Sequence, residues 1–256
     1  MFARSLFLVF AALATAAQAA QPLITDDTAT QGKGGHQIEI SQTQDRLRQA
    51  ADRGRSRATG LTYTLGLSDQ TDLFVSTSYE GLRLHGQAPA SGWGNSVLGV
   101  KWRLWDHEAS KTSLALKPEL VLPVGAAAEA SGLGSGKVSY ALNAIVSREM
   151  PFGTLHFNAA LSRDRMRNPL ESERTVRYSL APVWDLSASW KLALDMGQKT
   201  TRSGTGIRVR SRFVEVGAIY SPDKNQDWAL GLIRSTDNDS PESSRRTLTG
   251  GWTLRF

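Results

Sequence analysis

The chain has 256 residues, 30 basic against 24 acidic side chains, a formal charge of +6 and no cysteine. A hydrophobic fraction of 40% with a mean hydropathy of -0.29 excludes a bundle of membrane helices, which would average far more apolar, and the missing thiols exclude disulfides and cysteine-metal sites. The basic residues are scattered along the chain rather than clustered, so the positive balance does not mark a nucleic-acid surface.

The first nineteen residues carry Arg4, then the apolar run Leu6-Phe7-Leu8-Val9-Phe10-Ala11-Ala12-Leu13-Ala14, and close on Ala17-Gln18-Ala19. That is the three-part build of a secretory signal, too short for a membrane anchor, which takes about 20 apolar residues. Cleavage is expected after Ala19, with Ala20 the alternative. Residues 20–35 then form an N-terminal segment expected on the periplasmic side.

From residue 36 to 256 the chain reads as about twelve strands of period-2 alternation, the pattern of an all-β, antiparallel, up-and-down transmembrane barrel. The expected strands are 36–48, 56–67, 71–84, 93–105, 112–123, 136–148, 154–165, 174–184, 188–199, 206–220, 227–236 and 245–256. Alternation assigns sets such as Leu98/Val100/Trp102/Leu104 and Trp190/Leu192/Leu194/Met196 to the lipid face. Short connections (68–70, 106–111, 149–153, 185–187, 221–226) alternate with longer ones (49–55, 85–92, 124–135, 166–173, 200–205, 237–244), which predicts an even strand number with both termini periplasmic. Trp102, Trp105, Trp184, Trp190 and Trp228 bracket the short turns, as an interfacial aromatic girdle would.

Two stretches strain the pattern. Arg208, Arg210 and Arg212 share parity with lipid-facing Val214, Val216 and Tyr220, so either they stand above the membrane or a bulge near Ser211 shifts the register. Pro118, Pro123 and Pro182 lie within strands and predict local bulges or kinks, because each removes a ladder N–H. The last strand ends in Trp252, Leu254 and terminal Phe256, an aromatic ending suited to recognition by the barrel-assembly machinery.

Inward parity collects charges of both signs. Glu80, Lys101, Arg103, Lys117, Glu119, Lys191, Asp195, Glu215 and Arg255 are the candidate constriction, and Asp26 and Asp27 mark the periplasmic mouth. Such a lining fits either salt-bridged struts that stiffen a closed barrel or a conduit whose cations draw in an anionic solute. Thr25-Asp26-Asp27 similarly reads as an Asx-turn, or as a plug whose carboxylates meet lumen cations such as Arg255 or Lys191. No serine stands two residues from a histidine, and His36, His85, His107 and His156 lack metal-ligand spacing, so neither enzyme, cofactor nor metal is expected.

The segment Pro22-Leu23-Ile24-Thr25-Asp26-Asp27, a glycine-containing turn at Gly32 to Gly34, the strand start Gln37-Ile38-Glu39 and the later turn Gly66 to Leu73 resemble the meta-pathway phenol-degradation family of outer-membrane, transporter-like barrels. The resemblance implies a channel for small, hydrophobic or aromatic compounds and supplies no catalytic residues. The expected setting is the bacterial outer membrane, with its lipid, its lipopolysaccharide, the assembly machinery and a small solute as partners. The competing reading is a closed barrel that acts structurally or through a partner.

Overall fold

The computed structural model describes residues 21–49, 52–237 and 240–256; the expected signal lies outside them. In chain order the strands are β1 (His36–Gln49), β2 (Asp52–Ser68), β3 (Thr71–Leu84), β4 (Ala90–Trp93), β5 (Val97–His107), β6 (Thr112–Val121) and β7 (Ser139–Met150). They continue with β8 (Gly153–Asp164), β9 (Glu173–Asp185), β10 (Trp190–Ser203), β11 (Arg208–Asp223), β12 (Gln226–Asp237) and β13 (Ser240–Arg255). One short helix, α1 (Ala126–Ala130), lies between β6 and β7.

Every strand is antiparallel to its neighbours, and pairing of β1 with β13 closes the sheet into a barrel. Because β4 and β5 pair with successive stretches of β3, they are two halves of one wall strand, and the thirteen segments make twelve staves. At the seam, the amide N–H of His36 donates to the Phe256 carbonyl at 2.9 Å, and that of Phe256 to the His36 carbonyl at 3.0 Å.

The wall follows the predicted alternation. Along β3, Phe74 and Ser76 are buried while Leu73, Val75 and Tyr79 are exposed, and apolar residues such as Leu61, Leu98, Tyr178, Val216 and Leu230 repeat this outward exposure around the barrel. A closed sheet whose exposed face is apolar is a lipid-facing surface, since only a barrel or a helix satisfies its backbone inside a bilayer. Rings pair at the short-turn end: Trp190 with Tyr220 at 4.8 Å, Phe152 with Trp184 at 5.9 Å and Trp228 with Trp252 at 6.1 Å. These place the girdle where the tryptophan spacing predicts it.

Two expectations are corrected, and the alternative left open for the arginines is decided. The connections expected at 49–55, 200–205 and 237–244 are largely strand: β1 and β2 stay paired to Gln49 and Asp52, β10 and β11 to Arg202 and Arg208, and β12 and β13 to Asp237 and Ser240. No bulge occurs near Ser211, where the β10–β11 register runs unbroken, so the three arginines share the outward face of Val214 as a continuation of the strand. The prolines do not shift register either. Instead the β5–β6 ladder has a gap opposite Lys117 and Pro118, and the β9–β10 ladder a gap at Ala181 and Pro182, with identical register on either side. The shift that does occur in β5 lies between Arg103 and Trp105 and turns Trp105 outward. Pro123 lies beyond the end of β6.

Leu230 is 58% exposed between Trp228 and Leu232 on the outward face of β12. Leu230→Arg should cost about 2–4 kcal/mol in urea-dependent refolding into lipid vesicles, whereas Gln44→Arg, on the same face nearer the long-loop end, should cost under about 1 kcal/mol. Equal costs would contradict the assigned belt.

Candidate functional site

The residues before β1 fold into the lumen. Leu23, Thr25, Asp26 and Thr28 are all buried there. The reversal that directs them inward depends on glycine: Gly32 and Gly34 have φ of +76° and +78°, and Gly66 of β2 is bracketed by hydrogen bonds from Gly34 and to Gly35, each 2.8 Å. A Cβ on Gly66 would stand 1.7 Å from the Gly32 carbonyl oxygen, which only glycine at that position avoids.

Asp26 is the centre of the arrangement. Its Oδ1 is 2.9 Å from Lys101 Nζ on β5 and its Oδ2 is 2.7 Å from Lys117 Nζ on β6. Asp27 adds a longer pair to Lys101 at 3.4 Å, Glu119 lies 3.7 Å from Lys117, and the Lys117 ammonium stands 5.0 Å from the Phe74 ring centroid. Burial pushes the Asp26 carboxyl up, but the charges of Lys101 and Lys117 and their hydrogen bonds outweigh it and hold the group below the ordinary aspartate value. Asn158 of β8 clamps the Asp26 backbone from both sides, accepting from its N–H at 2.9 Å and donating to its carbonyl at 2.8 Å.

Thr25 ties the segment to the opposite wall. Its N–H donates to Asp195 Oδ2 at 2.7 Å, and its Oγ1 lies 2.7 Å from both Asp195 Oδ1 and Ser179 Oγ, so one hydroxyl donates to the carboxylate and accepts from the serine. Thr28 N–H reaches Ser147 Oγ at 3.1 Å, and Ser147 in turn meets His156 Nδ1 at 2.8 Å. Both readings of Thr25-Asp26-Asp27 therefore hold at once: Asp27 Oδ1 accepts from Ala29 N–H at 2.8 Å as an Asx-turn, while Asp26 makes the ionic plug.

The seat for the tip is a patch of glycines. Gly217 and Gly231 are directly opposed on β11 and β12, and added Cβ atoms would stand 2.7 Å and 3.1 Å from the Pro22 ring, while one on Gly251 would stand 2.7 Å from Gln21 Oε1. The segment separates two spaces. On the short-turn side is a vestibule of about 1130 Å³ whose lining includes Lys101, Arg103, Lys191, Asp227 and Arg255. On the long-loop side is a chamber of about 160 Å³ walled by Pro22, Ile24, Ala58, Gly60, Leu82 and Ile233. Leu133, from the loop after α1, closes over this chamber, and the loop is pinned by a 2.6 Å Arg167–Glu129 ion pair.

The nine expected constriction residues do not form one ring. Lys101, Lys117 and Glu119 gather around Asp26, Asp195 holds Thr25, and Glu215 lies directly opposite Asp195 on β11, both fully buried. Arg103, Lys191 and Arg255 sit at the vestibule, beside Asp106 at 3.7 Å, Asp185 at 3.1 Å and Asp227 at 2.5 Å. Glu80 lines the far chamber, bonded to Ser78 at 2.7 Å. Arg255 and Lys191 are thus not the partners of Asp26 and Asp27: their own wall carboxylates neutralise them, and Lys101 and Lys117 are nearer. Trp252 and Leu254 follow outward parity and Phe256 is exposed at the seam. Asn158, Ser147, Leu133 and the glycine seat have no distinct signal in the sequence, since polar or small residues of inward parity are numerous.

Asp26→Asn should loosen the segment by about 3–5 kcal/mol, the cost of leaving buried partners of an ion pair uncompensated, read as lost hydrogen-exchange protection at residues 24–28. The pH dependence has a defined sign. With its folded value depressed, Asp26 contributes its full anchoring above the ordinary aspartate range and loses it only as pH falls through the lower folded value. Protection corrected for intrinsic exchange should therefore be flat from neutrality down to about pH 4.5 and fall below that; a decline beginning near pH 7 would contradict it.

Among solved structures the chain resembles the COG4313 outer membrane channel from Pseudomonas putida F1, at 14% identity and a TM-score of 0.71, with 90% of this chain and 98% of that one covered. It also resembles the β domain of the Bordetella autotransporter BrkA (12% identity, TM-score 0.57, 88% and 100% covered) and the translocator domain of autotransporter NalP from Neisseria meningitidis (12%, 0.52, 88% and 90%). At these identities the likeness is one of fold: a closed outer-membrane barrel. No curated protein matches the chain in sequence. A family model described as "Putative MetA-pathway of phenol degradation" matches residues 57–252, well over half of the chain, and the protein belongs to that family of outer-membrane barrels.

Proposed function

We propose that the protein is a channel for passive uptake of small, uncharged aromatic or hydrophobic solutes across the outer membrane. The observation that carries this reading is the chamber of about 160 Å³ above the plug, whose exposed wall surface is mostly apolar, with Pro22, Leu23, Ile24, Leu82, Leu133 and Ile233 set among serines, threonines, Asp45, Glu80 and Arg245. A cavity of about 150 Å³ with apolar walls is large enough for one benzene ring. The family and the fold likeness to an outer membrane channel support it.

The charge arrangement favours neutral solutes over anionic ones. Lys101 and Lys117 are occupied by Asp26, and Arg103, Lys191 and Arg255 each face a wall carboxylate, so little uncompensated positive field remains to concentrate a carboxylate solute. In this reading the termini and short turns face the periplasm, residues 21–28 enter the lumen from that side after signal removal, and Trp252, Leu254 and Phe256 present the assembly signal. The Ser147–His156 pair, which accepts the Thr28 amide through Ser147 Oγ at the vestibule wall, serves in the same reading to hold the segment. The closed, structural reading also has an observation behind it, the buried Asp26 anchor, which obstructs the lumen as it stands.

Proteoliposome entry of phenol, benzoate and a sugar of similar size separates the two. Phenol flux should exceed that of empty vesicles, with benzoate and sugar slower, and deletion of residues 21–31 should raise the flux of all three at least fivefold. Folded protein that passes no phenol, intact or truncated, would establish the structural reading instead.

A further inference from the structure

On the outward face, toward the end of the barrel that carries the β3–β4 and β6–β7 connections, arginines stand side by side. Arg83 of β3 is directly opposite Arg55 of β2, Arg55 opposite Arg46 of β1, Arg46 opposite Arg246 of β13, and Arg246 opposite Arg234 of β12. A second row joins Arg163 of β8, Arg174 of β9, Arg202 of β10 and Arg208 of β11, again each directly opposite the next. All are exposed, all share the parity of the lipid-facing residues on their strands, and among the described residues none is ion-paired with a carboxylate.

Like charges directly opposite across a strand pair repel. Four such pairs in one row and three in the other make an unfavourable wall in isolation and a favourable one against a layer of anions. Guanidinium groups bind phosphate through paired, charge-assisted hydrogen bonds, which suits them to a phosphorylated surface better than ammonium groups. The lower end of each row rests on the apolar belt: the next outward residue after Arg234 is Leu232, after Arg246 Leu248, after Arg163 Leu161 and after Arg174 Val176.

We propose that these two rows bind the phosphates of lipopolysaccharide, the phosphorylated glycolipid of the outer leaflet. The geometry selects it over an ordinary phospholipid. Each row runs perpendicular to strands tilted by about 40°, so five strands at about 4.8 Å spacing carry the first row through a height on the order of 12 Å. A phospholipid headgroup zone offers only about 5–8 Å on each side of the hydrocarbon core. Arginines spread over the greater height match a lipid that bears phosphate on its anchor and on the sugars above it. The inference rests on the orientation proposed above, with the long connections outermost, and is independent of whether the lumen conducts.

The test is native mass spectrometry and calorimetric titration of the detergent-solubilised, folded full chain with purified lipopolysaccharide, with the same lipid after phosphatase treatment, and with phosphatidylglycerol. Intact lipopolysaccharide should bind at least tenfold more tightly than either of the others, with affinity falling as salt rises. The triple variant Arg46→Gln/Arg246→Gln/Arg234→Gln should lose at least tenfold, and the matching triple change to lysine should fall between it and the wild type. Equal binding of the dephosphorylated lipid, equal competition by phosphatidylglycerol, or undiminished affinity in a glutamine variant with normal heat-modifiable mobility would each overturn the proposal. Should the glutamine variant not fold, the three lipids on the wild-type protein decide the matter alone.

Discussion

The interior of this barrel is organised by one carboxylate. Asp26 stands between two lysines from adjacent strands, with its own backbone clamped by Asn158, and every other contact of the N-terminal segment is arranged around that point. A charge this deeply buried is tolerated only when paired and hydrogen-bonded, and both conditions are met several times over. The ladder gaps fall at the same level: the gap opposite Pro118 includes Lys101 and Lys117, and the gap at Pro182 includes Asp195. The wall thus has fewer backbone bonds where it has most contact with the segment inside it.

Around that anchor the lumen is divided rather than lined. A charged vestibule lies toward the short turns and a small, largely apolar chamber toward the long connections, with the segment as partition and Leu133 as cover. Function follows from the partition more than from the barrel, because the barrel fold is shared with an outer membrane channel and with autotransporter domains alike. What distinguishes this chain is which side chains meet inside.

The wall was legible in the sequence because a strand's alternation is local: parity alone places Leu230 in lipid and Lys117 in the lumen. Strand ends were less legible, since above the membrane both faces become polar, and stretches such as Thr200 to Ser203 then look like loop although they continue to pair. The partners of Asp26 were beyond reach for a different reason. Lys191 and Arg255 have the same parity as Lys101 and Lys117, and choosing between them requires the depth at which the segment stops. That depth is set by the glycine seat under Pro22 and the reversal at Gly66, two features in which small size is the signal and many glycines compete for it.

The seam between β1 and β13 gives the segment an assembly history. The contacts of Asp26 with Lys101 and Lys117 join positions 75 and 91 residues apart, that with Asn158 spans 132, and that of Thr25 with Asp195 spans 170. None can form until the strands that carry them have been laid side by side, and the lumen that desolvates them exists only once the first strand has met the last. Interactions made so late add little to the rate of barrel formation and act on the rate of its loss. The N-terminal segment is therefore a kinetic latch: it records that closure is complete and retards its reversal.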